Sequence, residues 1–424
     1  MRDPGRTTLF LLLLTLASSS VDGAERHEQI LEEARAMKPR LVECRRDFHM
    51  HPELSNREER TAKRISEILA GLGIPHTTGI AGHGVVAEIK GGRPGPSVAV
   101  RADIDALPIE EVNDVPYRSQ NPGVKHACGH DLHATAALGT AELLWKRRAS
   151  LPGTVFIIFQ PAEEGPPPGE EGGAPRMIKE GLLDRIRPAA MFALHSMPTL
   201  EVGSVSFAHG AEMASSDRFK ITVIGRQSHG AEPHRGIDPI VAASQIVLAL
   251  QTISSRKIDP LQPVVVTVGM FNAGSRFNIV PGEAVLEGTF RTLDPEVRRK
   301  TRESIELISR SVAEGAGAKA EVWFHDSAAN PVLINDPELT RFAQRSLESL
   351  LGPAHVKIDP PRMIAEDFAH FAERVPSFYF FVGVRNEEKG ITANLHTPDF
   401  DIDEEALVVG TAAMTNLVLD YLER

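Results

Sequence analysis

From residue 30 to residue 198 the chain alternates two kinds of apolar pattern. "SEILAGLGI" repeats its apolar positions at helical spacing, whereas "GVVAEIKG", "SVAVRADIDAL", "GTVFIIFQ" and "AAMFALHS" are short, β-branched runs bounded by Gly or Pro. Strands apolar on both faces and separated by helices predict a sheet covered on each side, an open mixed-sheet α/β domain. From Ser215 to Ala328 the order changes. "DRFKITVIG" reads as a strand, "DPIVAASQIVLALQTI" as a helix, "PVVVTVGMF" and "AVLEGTFRTL" as strands, "PEVRRKTRESIELISRSVAEGAG" as a helix and "KAEVWFHD" as a closing strand. That βαββαβ order predicts a small ferredoxin-like unit inserted into the first domain. Patterns of the first kind then resume in "PELTRFAQRSLESLLG" and "SFYFFVGV". The expected organisation is therefore 25–214 and 329–424 as one catalytic domain, with 215–328 inserted.

The N-terminus stands apart. "MRDPGRTTLFLLLLTLASSSVDGA" combines an arginine-bearing start, an apolar run from Leu9 to Ala17 and a small, polar exit, the pattern of a cleaved signal peptide over 1–24. The apolar run is too short to span a bilayer, and no later segment is long enough. A lipid-anchored or retained N-terminal helix is the alternative. The expected location is secreted or periplasmic, with no membrane span after cleavage. The 46 basic and 57 acidic residues give a net charge of -11, which argues against a nucleic-acid partner. Two cysteines, Cys44 and Cys128, are too few for a disulfide framework, although a single bridge is chemically open in an oxidising compartment.

Cys128 has unusual company in "KHACGHDLHATAA", where it lies between His126 and His130. Four other stretches place reactive groups where strands are expected to end: Asp103 and Asp105 in "RADIDALP", Glu163 and Glu164 in "FQPAEEG", His195 in "ALHSMP" and His396 in "NLHTPDF". In α/β sheets such ends share one crevice. Each piece alone has an ordinary reading: a lone histidine is commonly a core or surface residue, and adjacent glutamates commonly mark a solvated turn. Together they suit a metal centre with sulfur, nitrogen and oxygen donors. Cys128 and His130 can reach one centre only if the backbone turns sharply at Gly129. Two divalent ions would activate a shared water, one glutamate would ligate and its neighbour would move the proton. Asp105 would orient a ligand imidazole or join the metal sphere. A cysteine nucleophile with a histidine base is the competing chemistry, but it leaves the glutamate pair and distant histidines without a role.

The constellation resembles the aminoacylase and carboxypeptidase family of metallopeptidases, in the branch of hippurate hydrolases and indole-acetyl-amino-acid hydrolases. "RRDFHMHPELSNRE", "RADIDALPIEE", "HACGHDLHAT", "FQPAEEG", "LH", "GRQSHGAEPHRGIDPI", "FNIVPGEAVLEGTFRT", "AEDFAHF" and "NLHTPDFDIDE" occur in the family's order. The resemblance implies Cys128, His130, Glu164, His195 and His396 as metal ligands and Glu163 as general base. The inserted unit would be a lid that also pairs subunits into a homodimer or higher oligomer. His229 would stabilise an oxyanion and Asn278 would meet the substrate carboxylate; read alone, they are a loop histidine and a turn asparagine. "GPPPGEEGGAP" after Glu164 is longer and more acidic than is usual in this branch, and "LHSMP" carries Ser196 and Met197 where relatives have bulkier residues.

The implied activity is hydrolysis of small N-acyl amino acids, hippurate-like or aryl-acetylated, into a carboxylic acid and a free amino acid. It would depend on two divalent ions, manganese or zinc, with cobalt or nickel as further candidates. An exported dipeptidase or aminopeptidase is the rival enzyme, and a catalytically silent binding protein is the rival from another class.

Overall fold

The computed structural model describes residues 5–326 and 329–424, with side chains described from residue 25 onward. The signal peptide expected over 1–24 lies outside the residues whose side chains are described. The chain forms two compact units. One comprises 1–209, 335–359 and 374–424, the other 210–334 and 360–373.

The first unit is built on an eight-stranded mixed sheet. Its strands run in the order His76–Ile80, Gly84–Lys90, Pro152–Gln160, Arg93–Asp103, Ala190–Glu201, Ser377–Arg385, Val205–Phe207 and Val356–Ile358. The central strands Pro152–Gln160, Arg93–Asp103, Ala190–Glu201 and Ser377–Arg385 pair in parallel. Apart from the exposed start of Arg93–Asp103 and the end of Ala190–Glu201 they are mostly buried, which explains why they read as continuous apolar runs rather than alternating ones. Helices Gly5–Met50, His130–Lys146, Pro337–Leu351 and Ala406–Glu423 pack on one another and on this sheet. None of the helices among the described residues is long and apolar enough to cross a membrane.

The second unit holds the four-stranded antiparallel sheet foreseen in the βαββαβ order. Its strands run Val264–Ala273, Glu283–Thr292, Asp217–Ile224 and Lys319–Phe324. Helices Pro239–Leu250 and Pro295–Gly315 cover one face, closing a core around Phe219, Ile221, Leu286, Phe290, Ile246 and Ile305. Both helices begin at aspartates, Asp238 and Asp294, whose side chains accept the first free amides, with Pro in the first turn.

Two details depart from the sequence pattern. His195 does not end a strand: Ala190–Glu201 runs on past it, because Ser377–Arg385 stays paired with it as far as Glu201. Pro360–Glu373, which contains "AEDFAHF", groups with the second unit. It is tied there by Ala214, whose N–H is shared between the carbonyls of Arg362 and Ile364 at 2.9 Å each.

Candidate metal centre

Strand Arg93–Asp103 delivers Asp103 at its end and Asp105 just beyond, and strand Pro152–Gln160 delivers the Glu163–Glu164 turn. Helix His130–Lys146 starts at His130, immediately after Gly129 at φ +88°. A Cβ on Gly129 would lie 2.4 Å from Ser196 Oγ, so only glycine allows Cys128 and His130 to turn toward the same point. The Ser196 hydroxyl also donates to the Cys128 carbonyl at 2.8 Å, fixing the turn from the neighbouring strand.

All five expected ligands converge. Cys128 Sγ lies 3.3 Å from His195 Nε2 and 3.3 Å from His396 Nε2. His396 Nε2 is 3.2 Å from Glu164 Oε1, and His130 Nε2 is 3.9 Å from both Glu164 Oε1 and Glu163 Oε2. With ordinary metal–sulfur and metal–nitrogen bonds, two donors on one ion are separated by roughly 3.1–3.6 Å, so the sulfur–imidazole distances fit a shared cation. Three donor groups overlap: Cys128, His130 and His195; Cys128, Glu164 and His396; His130, Glu163 and Glu164. Overlap of that kind accommodates two neighbouring ions better than one.

The ring tautomers suit ligation. His195 Nδ1 donates to the Ser196 carbonyl at 2.8 Å and His130 Nδ1 donates to Asp105 Oδ1 at 3.1 Å, which leaves each Nε2 lone pair aimed at the cluster. His130 Nε2 and Glu164 Oε1 are buried and have no hydrogen-bond partner. Unpaired lone pairs in a site this polar fit a cation. Charge says the same. Burial, then Glu164 and Glu163, push the Cys128 thiol well above its ordinary value. Burial opposes charging of His130, yet Asp103 and then Asp105 hold it up to about 10. A divalent cation takes the place of those protons. Both cysteines are free, and burial pushes the Cys44 thiol up to about 11, which leaves it unreactive.

Asp105 does more than orient a ring: its Oδ2 accepts the Ser55 hydroxyl at 2.6 Å and the Glu164 N–H at 3.0 Å. Asp105 thus braces two of the expected ligands, His130 through its ring and Glu164 through its backbone. His133, which the sequence pattern did not single out, accepts the Ser196 N–H at Nε2 (2.8 Å) and donates to Asp103 from Nδ1 (2.6 Å). Its spacing of three from His130 in "HDLH" was the available signal. His229 and Asn278 belong to the second unit, where strands Ser228–His229 and Ile279–Val280 pair and Gly230 N–H donates to Asn278 O at 2.9 Å. The structure therefore places these two beside each other. His229 Nδ1 accepts the Ala231 N–H at 3.0 Å, and Asn278 Oδ1 is buried without a partner.

Residues 99–420 match the family described as Peptidase family M20/M25/M40. The N-acetyl-L-cysteine deacetylase of Bacillus subtilis (strain 168) is 39% identical over 376 residues, 88% of this chain and 86% of the relative. IAA-amino acid hydrolase ILR1-like 5 of Arabidopsis thaliana is 36% identical over 384 residues, 90% of this chain and 86% of the relative. Among solved structures, the Bacillus subtilis YXEP protein, described as a dinuclear metal binding peptidase from the M20 family, is similar with a TM-score of 0.79 and 37% identity. That match covers 92% of this chain and 99% of the other.

Proposed function

Because the chain belongs to peptidase family M20/M25/M40 and is a metal-dependent hydrolase of amide bonds, we propose that it cleaves N-acyl amino acids, with hippurate-like and aryl-acetyl substrates foremost. The observation that carries the reading is the set of overlapping donor groups that share Cys128, His130 and Glu164 and keep Glu163 at their edge. The names of the deacetylase and IAA-amino acid hydrolase relatives support it, since both describe an acyl group joined to an amino acid.

Cys128, His130, Glu164, His195 and His396 would hold two divalent cations, manganese or zinc, with cobalt or nickel as further candidates. When bound, such ions polarise the scissile carbonyl and make water acidic enough to ionise near neutral pH. The chain's own groups do the rest. Glu163 takes the water proton on a carboxylate oxygen and returns it to the leaving nitrogen. Asp105 keeps the His130 ring turned so that Nε2 faces inward. The family resemblance assigns His229 to the developing oxyanion and Asn278 to the substrate carboxylate.

A panel of N-acetyl, N-benzoyl and aryl-acetyl amino acids, run beside unblocked dipeptides with added manganese or zinc, tests the reading. Turnover confined to blocked substrates supports it, and turnover confined to free dipeptides replaces it with a dipeptidase. Glu163→Gln should lower kcat about a thousandfold while metal content stays at two equivalents per chain. Retained turnover in that variant would dismiss Glu163 as the base.

Two further proposals accompany this one. The exposed apolar face of helix Pro239–Leu250 and the open edge of strand Val264–Ala273 support pairing of two copies through the second unit. The N-terminal pattern supports export to the periplasm or medium, which N-terminal sequencing of the native protein would check.

A further inference from the structure

We propose that Ser55–Glu58 is a clamp for the turn bearing Glu163 and Glu164, and that Glu58 is the positioning residue that holds Ala162 in its left-handed backbone conformation. The inference rests on the roles proposed for Glu163 and Glu164. Ala162 has φ +56°, a conformation that L residues avoid because Cβ crowds the carbonyl oxygen. Such backbone persists only where its surroundings over-determine it.

Those surroundings come from one short segment more than a hundred residues away. Glu58 is fully buried, and its Oε1 accepts the Ala162 N–H at 2.8 Å. Ser55 donates to the same Asp105 oxygen that accepts the Glu164 N–H. The amides on either side of Glu163 are therefore each held by a buried carboxyl group, one supplied by this segment and the other anchored by it. Asn56, itself at φ +62°, donates from Nδ2 to the Glu171 carbonyl at 3.1 Å and to Glu170 Oε2 at 3.0 Å. Arg57 donates to Glu170 Oε1 at 2.6 Å. The acidic loop after Glu164 is thereby tied down at its far end. Gly172 closes the packing, since a Cβ there would meet Ala162 Cβ at 2.8 Å and Asn56 Oδ1 at 3.0 Å.

Burial and the nearby Asp105 push the Glu58 carboxyl up to about 8, so it is protonated at neutral pH and its amide analogue is a close mimic. Its Oε2 has no hydrogen-bond partner. The clamp thus needs an acceptor at Oε1 rather than a negative charge.

The test compares Glu58→Leu, Glu58→Gln and Asn56→Gly in the full chain, by amide hydrogen exchange at Ala162, metal content, and kcat and KM on the best N-acyl substrate. Glu58→Leu should speed exchange at Ala162 and lower kcat about a hundredfold, the scale expected when a reacting group is misplaced by about 1 Å, with KM little changed. Glu58→Gln should restore both. Ala162→Gly placed on Glu58→Leu should recover part of the lost kcat, because glycine adopts positive φ without support. Wild-type exchange and kcat in folded Glu58→Leu would overturn the proposal. Asn56→Gly keeps both the buried carboxyl and the backbone conformation, so wild-type exchange across 162–172 in that variant would also overturn it, even if Glu58→Leu does not fold. Failure of the underlying reading shows differently: Glu163→Gln would remain active while the exchange response to Glu58→Leu persisted.

Discussion

The eight-stranded unit buries a network of charges, whereas the four-stranded sheet and its two helices close an apolar core around one buried charge and leave a set of large apolar side chains exposed. Around the large sheet Arg45, His49, Glu58, Arg101, Asp103, Glu111, Lys125 and Asp131 are all buried. Between Asp217 and Phe324 only one charged side chain among the described residues is buried, Asp217, and Arg298 holds it through two contacts at 2.8 and 2.9 Å. The same stretch carries most of the exposed large hydrophobics, including Val241, Leu248, Leu261, Met270, Phe277 and Trp323. Reactive groups need a dry, pre-organised interior, which requires every buried charge to have a partner. An exposed apolar face answers to a different demand, contact with another surface.

The contrast breaks most sharply at Arg45. Its guanidinium contacts Asp131 at 2.7 Å and Asp401 at 2.9 Å, and its side chain is fully buried. Arg45→Met should destabilise the eight-stranded unit by about 3–5 kcal/mol, because the two carboxylates lose their counter-charge in a dry site. Urea unfolding followed by hydrogen exchange separately in each unit measures it. A loss under about 1 kcal/mol, the scale of an exposed pair, would remove the distinction between the two interiors.

Chelation comes next. Ions bound to the folded form alone stabilise it by about 2.7 kcal/mol at a hundredfold excess over Kd. Removing them should lower the unfolding midpoint of the eight-stranded unit and leave that of the four-stranded unit in place. Equal shifts in both would mean that the ions are not confined to the donor cluster.

Much of this was legible beforehand, and the gaps have a common cause. The apolar runs revealed the large sheet, and the order of runs revealed the small one, because both signals are local. The chemistry was legible as residue types at expected strand ends, and the full ligand set came with the family resemblance. What escaped was pairing across long stretches of chain. Nothing near Glu58 announces Ala162, nothing near Arg45 announces Asp401, and His133 looks like a helical spacer until Asp103 meets it. The strand through His195 outran its expected end because its continuation depends on a partner strand almost two hundred residues later.

A smaller effect, and one with two signs, is expected from pH. Burial opposes the Glu111 charge, but His49, the Ser119 N–H and Lys125 hold its carboxyl down to about 2. A folded value below the unfolded one stabilises at pH above about 4.5 and is lost as pH falls toward 2. Burial pushes His126 down to about 4, so stability is also lost as pH falls from 6.5 through 4, where only the unfolded histidine takes a proton. Glu58 runs the other way. Its folded value near 8 lies above the unfolded one, so its contribution is complete below about 4.5 and disappears as pH rises through 8. The eight-stranded unit should therefore be most stable between these limits, and Glu58→Gln should flatten the alkaline side alone. Melting curves from pH 3 to 9 for both proteins check the sign.

The smallest change in stability is expected where the surface is most apolar. Leu248 is 72% exposed on helix Pro239–Leu250, one heptad from Val241 at 53%, so the two share the helix face turned away from its own core. Strand Val264–Ala273 adds Met270 and Phe271 along an edge with no strand beyond it among the described residues. A side chain already in water contributes little to folding, so Leu248→Glu should shift the stability of the four-stranded unit by no more than about 0.5 kcal/mol. Its effect should fall on the proposed pairing: in a contact between two copies through this face each new charge would have to be desolvated, so sedimentation should move toward the monomer. Arg299→Ala, on the charged face of helix Pro295–Gly315, is the control and should change neither quantity. An unaltered sedimentation profile for Leu248→Glu would overturn the pairing proposed through this face.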